Sequence, residues 1–196
     1  MKKSLVLFVT TSVFIFLFQA CNDTGTESAS SAKENFGGYE SKEKYGEHLV
    51  LITGCHDCHT PKKMTDMGPV EDFSLALAGH MANFPVPDVN RKEMQDKGLV
   101  VTNDLTIWIG PWGISYTANL TSDSTGIGTW KEEQFFLALR EGKFKGLASG
   151  RTLLPPMPWH MLKNMTDDEI KAIFAYLKTT KPIKNVVPPP TPPAAS

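Results

Sequence analysis

Cys55-His56-Asp57-Cys58-His59 is a C-x-x-C-H run, the spacing at which a c-type haem is attached. The chemistry dictates that spacing. Each thiol adds to one vinyl group at the porphyrin edge, and the residue after the second cysteine turns under the ring as an axial iron ligand. Cys55 and Cys58 therefore read as thioether positions and His59 as the proximal ligand of a single, covalently bound haem c. Two other chemistries share part of the pattern. A structural zinc site needs further thiol or imidazole donors, commonly from a second C-x-x-C, and the chain contains none. A redox dithiol is expected near a βαβ pattern, which is missing here.

Only Cys21 remains of the three cysteines. It follows a basic start, Met1-Lys2-Lys3, an apolar run from Leu5 to Phe18, and Gln19-Ala20. That order resembles a bacterial lipoprotein signal peptide, with Phe18 where Leu is more usual. Cleavage before Cys21 and lipid on its thiol are expected, which places the chain outside the cytoplasm as a membrane-anchored lipoprotein facing the periplasm or the cell surface. An uncleaved anchor is the alternative, although the run is shorter than the roughly 20 residues that span a bilayer. Both readings put the lysines on the cytoplasmic side. Loss of Lys2 and Lys3 from 20 basic residues, against 21 acidic ones, makes the mature chain net −3. Such a balance excludes a generally basic, nucleic-acid-binding surface.

Four segments follow from composition. Residues 1–20 form the signal, and 21–38, small and polar, a lipidated tether of roughly 25 Å mean span. Residues 39–185 make one domain, and 186–196 a proline-rich tail, of extended backbone but read as a disordered end. Within the domain, Tyr45, His48, Leu49 and Ile52 recur at helical spacing with Gly46 and Val50 alongside, and this helix stops near Thr53-Gly54. A second helix is predicted from Thr129, capped reciprocally with Glu132, striped by Phe135, Ala138 and Leu139 and closed by Gly142. A third starts at Thr166 with Glu169, buries Ile170, Ile173, Phe174 and Leu177, and ends before Pro182. Leu99 to Thr102 and Leu105 to Ile109 flank Asn103-Asp104 as a small predicted hairpin.

With C-x-x-C-H after one helix and an amphipathic helix at the carboxyl end, the chain resembles class I cytochrome c. Asn119-Leu120-Thr121, Gly126-Ile127-Gly128-Thr129-Trp130, Ala138-Leu139-Arg140 and Pro155-Pro156-Met157-Pro158-Trp159 are similar to cytochrome c domains of bacterial alcohol, aldehyde and gluconate dehydrogenase complexes. The likeness is almost continuous from Asn119 to Pro188. It implies an all-α class I fold, helices packed around one haem c, with residues 60–116 as a loop or hairpin insertion. It also implies that the first and last helices cross at Gly46 and Tyr176. Met157, framed by Pro155, Pro156 and Pro158, which restrict the backbone, is the candidate sixth ligand. His160 is its rival, while His48 and His80 read as ordinary helix and loop residues and His56 as a free position in the motif. The resemblance further implies that the Pro69 carbonyl accepts a hydrogen bond from His59, that Trp159, Trp130, Tyr116 and Leu154 wall the pocket, and that Arg140 or Asn119 faces a propionate.

The function expected is single-electron transfer by a His/Met-ligated monohaem cytochrome, not itself an enzyme, between a redox-protein donor and acceptor. Two alternatives stay open. One is the electron-exit subunit of a dehydrogenase complex; the other is a haem enzyme or gas sensor with a labile sixth ligand.

Overall fold

The computed structural model describes residues 36–195. Helix α1, Lys42–Ile52, starts at Ser41, whose hydroxyl accepts from the Lys44 amide at 3.2 Å, and stops at Thr53. Gly54, at φ 69°, turns the chain into α2, Cys55–His59. Helix α3, Arg91–Asp96, and α4, Glu132–Arg140, follow, then the single turn α5, Trp159–Leu162, and α6, Asp167–Thr179. Among the described residues no helix is long and apolar enough to cross a membrane.

The principal core is the crossing of α1 and α6, covered by α4. Leu49 and Val50 of α1 meet Ile170, Ile173, Phe174 and Leu177 of α6, and Phe135 and Leu139 complete the cluster with Ile127 and Leu77. At the crossing Gly46 stands against the Ala172 carbonyl and against Tyr176, whose Cβ lies 2.8 Å from the place a Gly46 Cβ would take. Gly46 thus belongs to the buried face of α1 and Ile52 does not; Ile52 is 61% exposed. The reciprocal cap of Thr166 with Glu169 on α6 is as expected.

Three expectations change. The fold is not all-α: residues 60–116 carry two antiparallel hairpins. One joins β1, Lys62–Thr65, to β2, Gly68–Glu71; the other joins β3, Ile107–Gly110, to β4, Gly113–Tyr116. The second reverses at Pro111-Trp112, not at Asn103-Asp104. Pro111 presets its φ and Gly113 supplies φ 101°, whereas the Asp104 carboxylate is taken up by the Thr106 amide and hydroxyl. Of the predicted pairing only the Val101–Ile109 bridge forms. Helix α4 likewise begins at Glu132 with Lys131 as its cap, not at Thr129. The Lys178 ammonium holds the carbonyls of Ile127, Gly128 and Trp130 outside helical geometry, and the Gln134 side chain accepts from the Lys131 amide at 3.0 Å.

Ile107, Ile109 and Ile114 form a second, smaller core with Val89 and Tyr116. Against its edge the proline-rich segment, expected as a disordered end, lies seated and extended: Thr191 and Ile114 exchange both backbone hydrogen bonds, at 2.8 and 3.0 Å.

Candidate haem site

Helix α2 brings Cys55, Cys58 and His59 within one turn and a half. Both thiols are half-buried, and burial pushes each above its ordinary pKa. Thr53 hydroxyl and Cys55 Sγ lie 3.3 Å apart. The carboxyl end of the helix is met by Lys62, whose side chain is only 4% exposed; its ammonium donates to the carbonyls of Asp57 and Thr60 at 2.7 and 2.6 Å and pairs with Glu71 at 3.7 Å. A cation at the carbonyl end stabilises the turn. Its signal in sequence was a lysine just past the motif.

His59 is buried, and its Nδ1 lies 2.8 Å from the carbonyl of Ala118. A carbonyl only accepts, so Nδ1 carries the proton and Nε2 keeps its lone pair. Burial lowers the His59 pKa, against the opposing pull of the Ala118 carbonyl. The ring is therefore the neutral imidazole that binds metals, held by the kind of outer hydrogen bond that metal-bound histidines make. This corrects the expectation for Pro69. Pro69 is exposed on β2, paired across the hairpin with Met64, and the acceptor at His59 is Ala118 instead.

The Ala118 carbonyl is placed by backbone hydrogen bonds that tie residues 117–120 to residues 77–80, and these in turn to His59. Gly79 amide donates to the His59 carbonyl at 2.8 Å, His80 amide to Thr117 at 3.0 Å, and Leu120 amide to Leu77 at 2.8 Å. Asn119 and Asn185, both buried, lock the assembly. Asn119 donates to the Ile183 carbonyl at 2.9 Å and accepts from the Thr121 amide and hydroxyl. Asn185 donates to the carbonyls of Ala78 and His80 at 2.8 and 2.9 Å and accepts from the Ala82 amide at 3.1 Å. Asn119 is thus a structural cross-link, and Arg140 is engaged by the Lys163 carbonyl and the Asp167 carboxylate at 2.6 Å. Those bonds take up the groups expected to face a propionate.

Met157 packs half-buried against the principal core, as do Cys55 and Trp130, with Met165. The preceding Pro155 carbonyl accepts from Ser115 at 2.6 Å. His160 is exposed, and Met64 and Met67 are 74% and 95% exposed on the first hairpin. Trp159 lies against Gly142, where a Cβ would come within 2.5 Å of the indole. Tyr116 sits instead in the smaller core, beside the His80 ring at 5.0 Å. His80 is itself buried, with Nδ1 2.8 Å from the Thr106 hydroxyl, which donates to Asp104 at 2.7 Å. It is no ordinary loop residue. His56 bonds Thr60 at 2.8 Å, and His48 stacks on Tyr39.

The donor set fits a covalently held haem: two thiols and a neutral imidazole with a free Nε2 on one turn, and a soft thioether packed on the same core as Cys55. Thr117 Oγ1, one residue from Ala118, is buried with no partner among the described residues, an orphaned polar atom beside the site. Among the described residues no three His, Cys, Asp or Glu side chains converge as a metal-chelating cluster. Ala118 carried no signal in sequence, since its role is that of a main-chain carbonyl, and Gly79 and Asn185 carried none because the backbone groups they meet are distant in sequence.

No family model matches the chain. It is similar to a nicotinate dehydrogenase subunit of Pseudomonas putida, 37% identical over 79 residues, 40% of this chain and 6% of the relative. It is also similar to the fructose dehydrogenase cytochrome subunit of Gluconobacter japonicus, 40% identical over 75 residues, 37% of this chain and 15% of the relative. A third relative is the gluconate 2-dehydrogenase cytochrome c subunit of Pantoea cypripedii, 39% identical over 67 residues, 34% of this chain and 14% of the relative. The matches span 15% or less of these relatives.

Proposed function

We propose that this chain is a monohaem, electron-transferring cytochrome c of class I fold, extracytoplasmic and without catalytic activity of its own. Cys55 and Cys58 hold one haem c by thioether bonds, His59 is the proximal ligand and Met157 the distal one. The observation that carries the reading is His59: buried, proton on Nδ1, Nε2 free, one residue past two thiols. The α1–α6 crossing at Gly46 supports the class I fold, and the names of the relatives support the electron-transfer role.

When bound, the haem supplies a one-electron ferric/ferrous couple. His59, donating Nδ1–H to Ala118, gains basicity and favours the ferric state, while the Met157 thioether raises the potential. Held by His59 and Met157, the iron would leave no coordination site for substrate. Donor and acceptor proteins would be met through small and transient contacts.

Residues 1–20 are read as a lipoprotein signal, 21–38 as a tether lipidated on Cys21, 39–185 as the haem domain and 186–196 as its proline-rich end. Cys21 lies outside the described residues. The anchor keeps the domain at a membrane facing the periplasm or the cell surface. Intact mass and a reduced alkaline pyridine spectrum of protein made with a haem-ligation system should give one haem per chain; a haem-free chain overturns the reading. Intact mass of the protein extracted from the membrane should give a chain that starts at Cys21 with a diacylglyceryl group on its thiol, and an unmodified Cys21 would exclude lipid as the anchor.

A second reading is favoured by the relatives, which are named as subunits of dehydrogenases: the chain is the electron-exit cytochrome of such a complex. Stable co-purification with a large quinoprotein or flavoprotein from the native membrane supports it. Recovery as a free, membrane-bound monomer supports the independent carrier.

A further inference from the structure

We infer that Gly79 is a positioning residue for the proximal ligand: its missing side chain lets the Thr117–Asn119 backbone close on the Leu77–His80 segment and so sets the hydrogen bond at His59 Nδ1. The inference rests on His59 being an iron ligand. A Cβ at Gly79 would lie 2.5 Å from the Ala118 carbonyl carbon, 2.5 Å from the Thr117 oxygen and 2.6 Å from the Ala118 oxygen. All three atoms are backbone, and real Cβ atoms do not approach so near. That backbone is pinned on both sides of the acceptor carbonyl. It is held by His80 amide on Thr117 and Leu120 amide on Leu77, while Gly79 amide holds the His59 carbonyl. A side chain at residue 79 therefore displaces the very oxygen that His59 uses at 2.8 Å. Gly79 also adopts φ 72°, so two separate constraints favour glycine.

The consequence reaches the metal. An imidazole that loses its Nδ1–H acceptor is a weaker donor through Nε2, the ferric state loses stabilisation, and the potential rises. Gly98 provides the control. It has nearly the same φ, 63°, with nothing within 4 Å of its would-be Cβ, so Gly98→Ala introduces the backbone strain without the displacement.

The test is a redox titration of the haem-loaded proteins, together with the His59 ring Nδ1–H signal of the reduced form by nitrogen-edited NMR. Haem content of the wild type is measured first. A haem-free wild type overturns the cytochrome reading and this inference with it, whereas a loaded wild type leaves the inference to stand or fall alone. Gly79→Ala and Gly79→Asn, the latter tolerant of positive φ, should show an upward shift in potential and faster solvent exchange of Nδ1–H. Gly98→Ala should shift neither. Loaded Gly79 variants with unchanged potential and exchange overturn the inference, and so does an equal shift in Gly98→Ala. If neither Gly79 variant takes up haem, Ala118→Gly decides. Ala118 is exposed, so the change carves no cavity and only frees the peptide that carries the acceptor. A raised potential with faster exchange supports the role, and unchanged values overturn it.

Discussion

Gly46 of α1 and Ala172 of α6 meet backbone to backbone: the Ala172 carbonyl occupies the space a Gly46 side chain would need, with the Tyr176 Cβ beside it. This contact sets the distance between the two helices that make the principal core, and α2 with its cysteines follows α1 after only Thr53 and Gly54.

Gly46→Ala should therefore separate the helices. The gain in helix propensity is about 1 kcal/mol, while overpacking costs about 3 kcal/mol where backbone atoms must shift. A net loss of roughly 2 kcal/mol or more is expected, read as a lower urea midpoint.

Asn185→Ala should cost about 3 kcal/mol. The buried amide bonds the carbonyls of Ala78 and His80 and the amide of Ala82, and its removal leaves three backbone groups unpaired. Asn185→Asp should recover less than half of the loss, because a carboxylate keeps the bond from Ala82 and cannot donate to the two carbonyls. Chemical denaturation of all three proteins checks the order.

Met157→Ala should abolish the weak sulfur-to-iron charge-transfer band of the ferric protein and open the reduced protein to carbon monoxide. Retention of the band would assign the sulfur elsewhere, with Met165, which packs on the same core, as the next variant. Rapid carbon monoxide binding by the unaltered protein would favour the gas-binding alternative.

Acid should weaken the fold through His80. Burial holds its pKa below the ordinary value, against the smaller upward pull of Asp104. The unfolded chain therefore takes up the proton first, and stability present above about pH 6.5, the unfolded value, falls as pH drops through the lower folded value. In His80→Asn the urea midpoint should be flatter over that window. An unchanged slope would assign the acid sensitivity to other groups.

The haem motif and the core stripes were legible in the sequence for a local reason. Thioether attachment and proximal ligation need contiguous residues, and burial on α6 needs apolar residues at the helical period, so Cys55, Cys58, His59, Ile170, Ile173, Phe174 and Leu177 declare themselves within a few positions. The Thr166–Glu169 cap is local in the same sense. Helix α4 misled because Thr129 and Glu132 have capping-box spacing, while Lys178, distant in sequence, holds the carbonyls that would have started the turn. The second hairpin misled because Asn103-Asp104 is a turn-forming pair whose carboxylate is committed to Thr106.

By itself, then, the chain's sequence pointed to the cofactor chemistry proposed for residues 55–59 and carried the apolar stripes by which the helices pack. Only the tertiary structure decided which carbonyl orients His59. Ala118 is 59 positions away, and what qualifies it is a main-chain oxygen that every residue possesses. Its selection depends on Gly79 having no side chain and on Asn119 and Asn185 tying three segments together. Backbone acceptors leave no mark in side-chain identity, and for that reason Pro69, in a familiar pair with Gly68, was expected in a place that Ala118 fills.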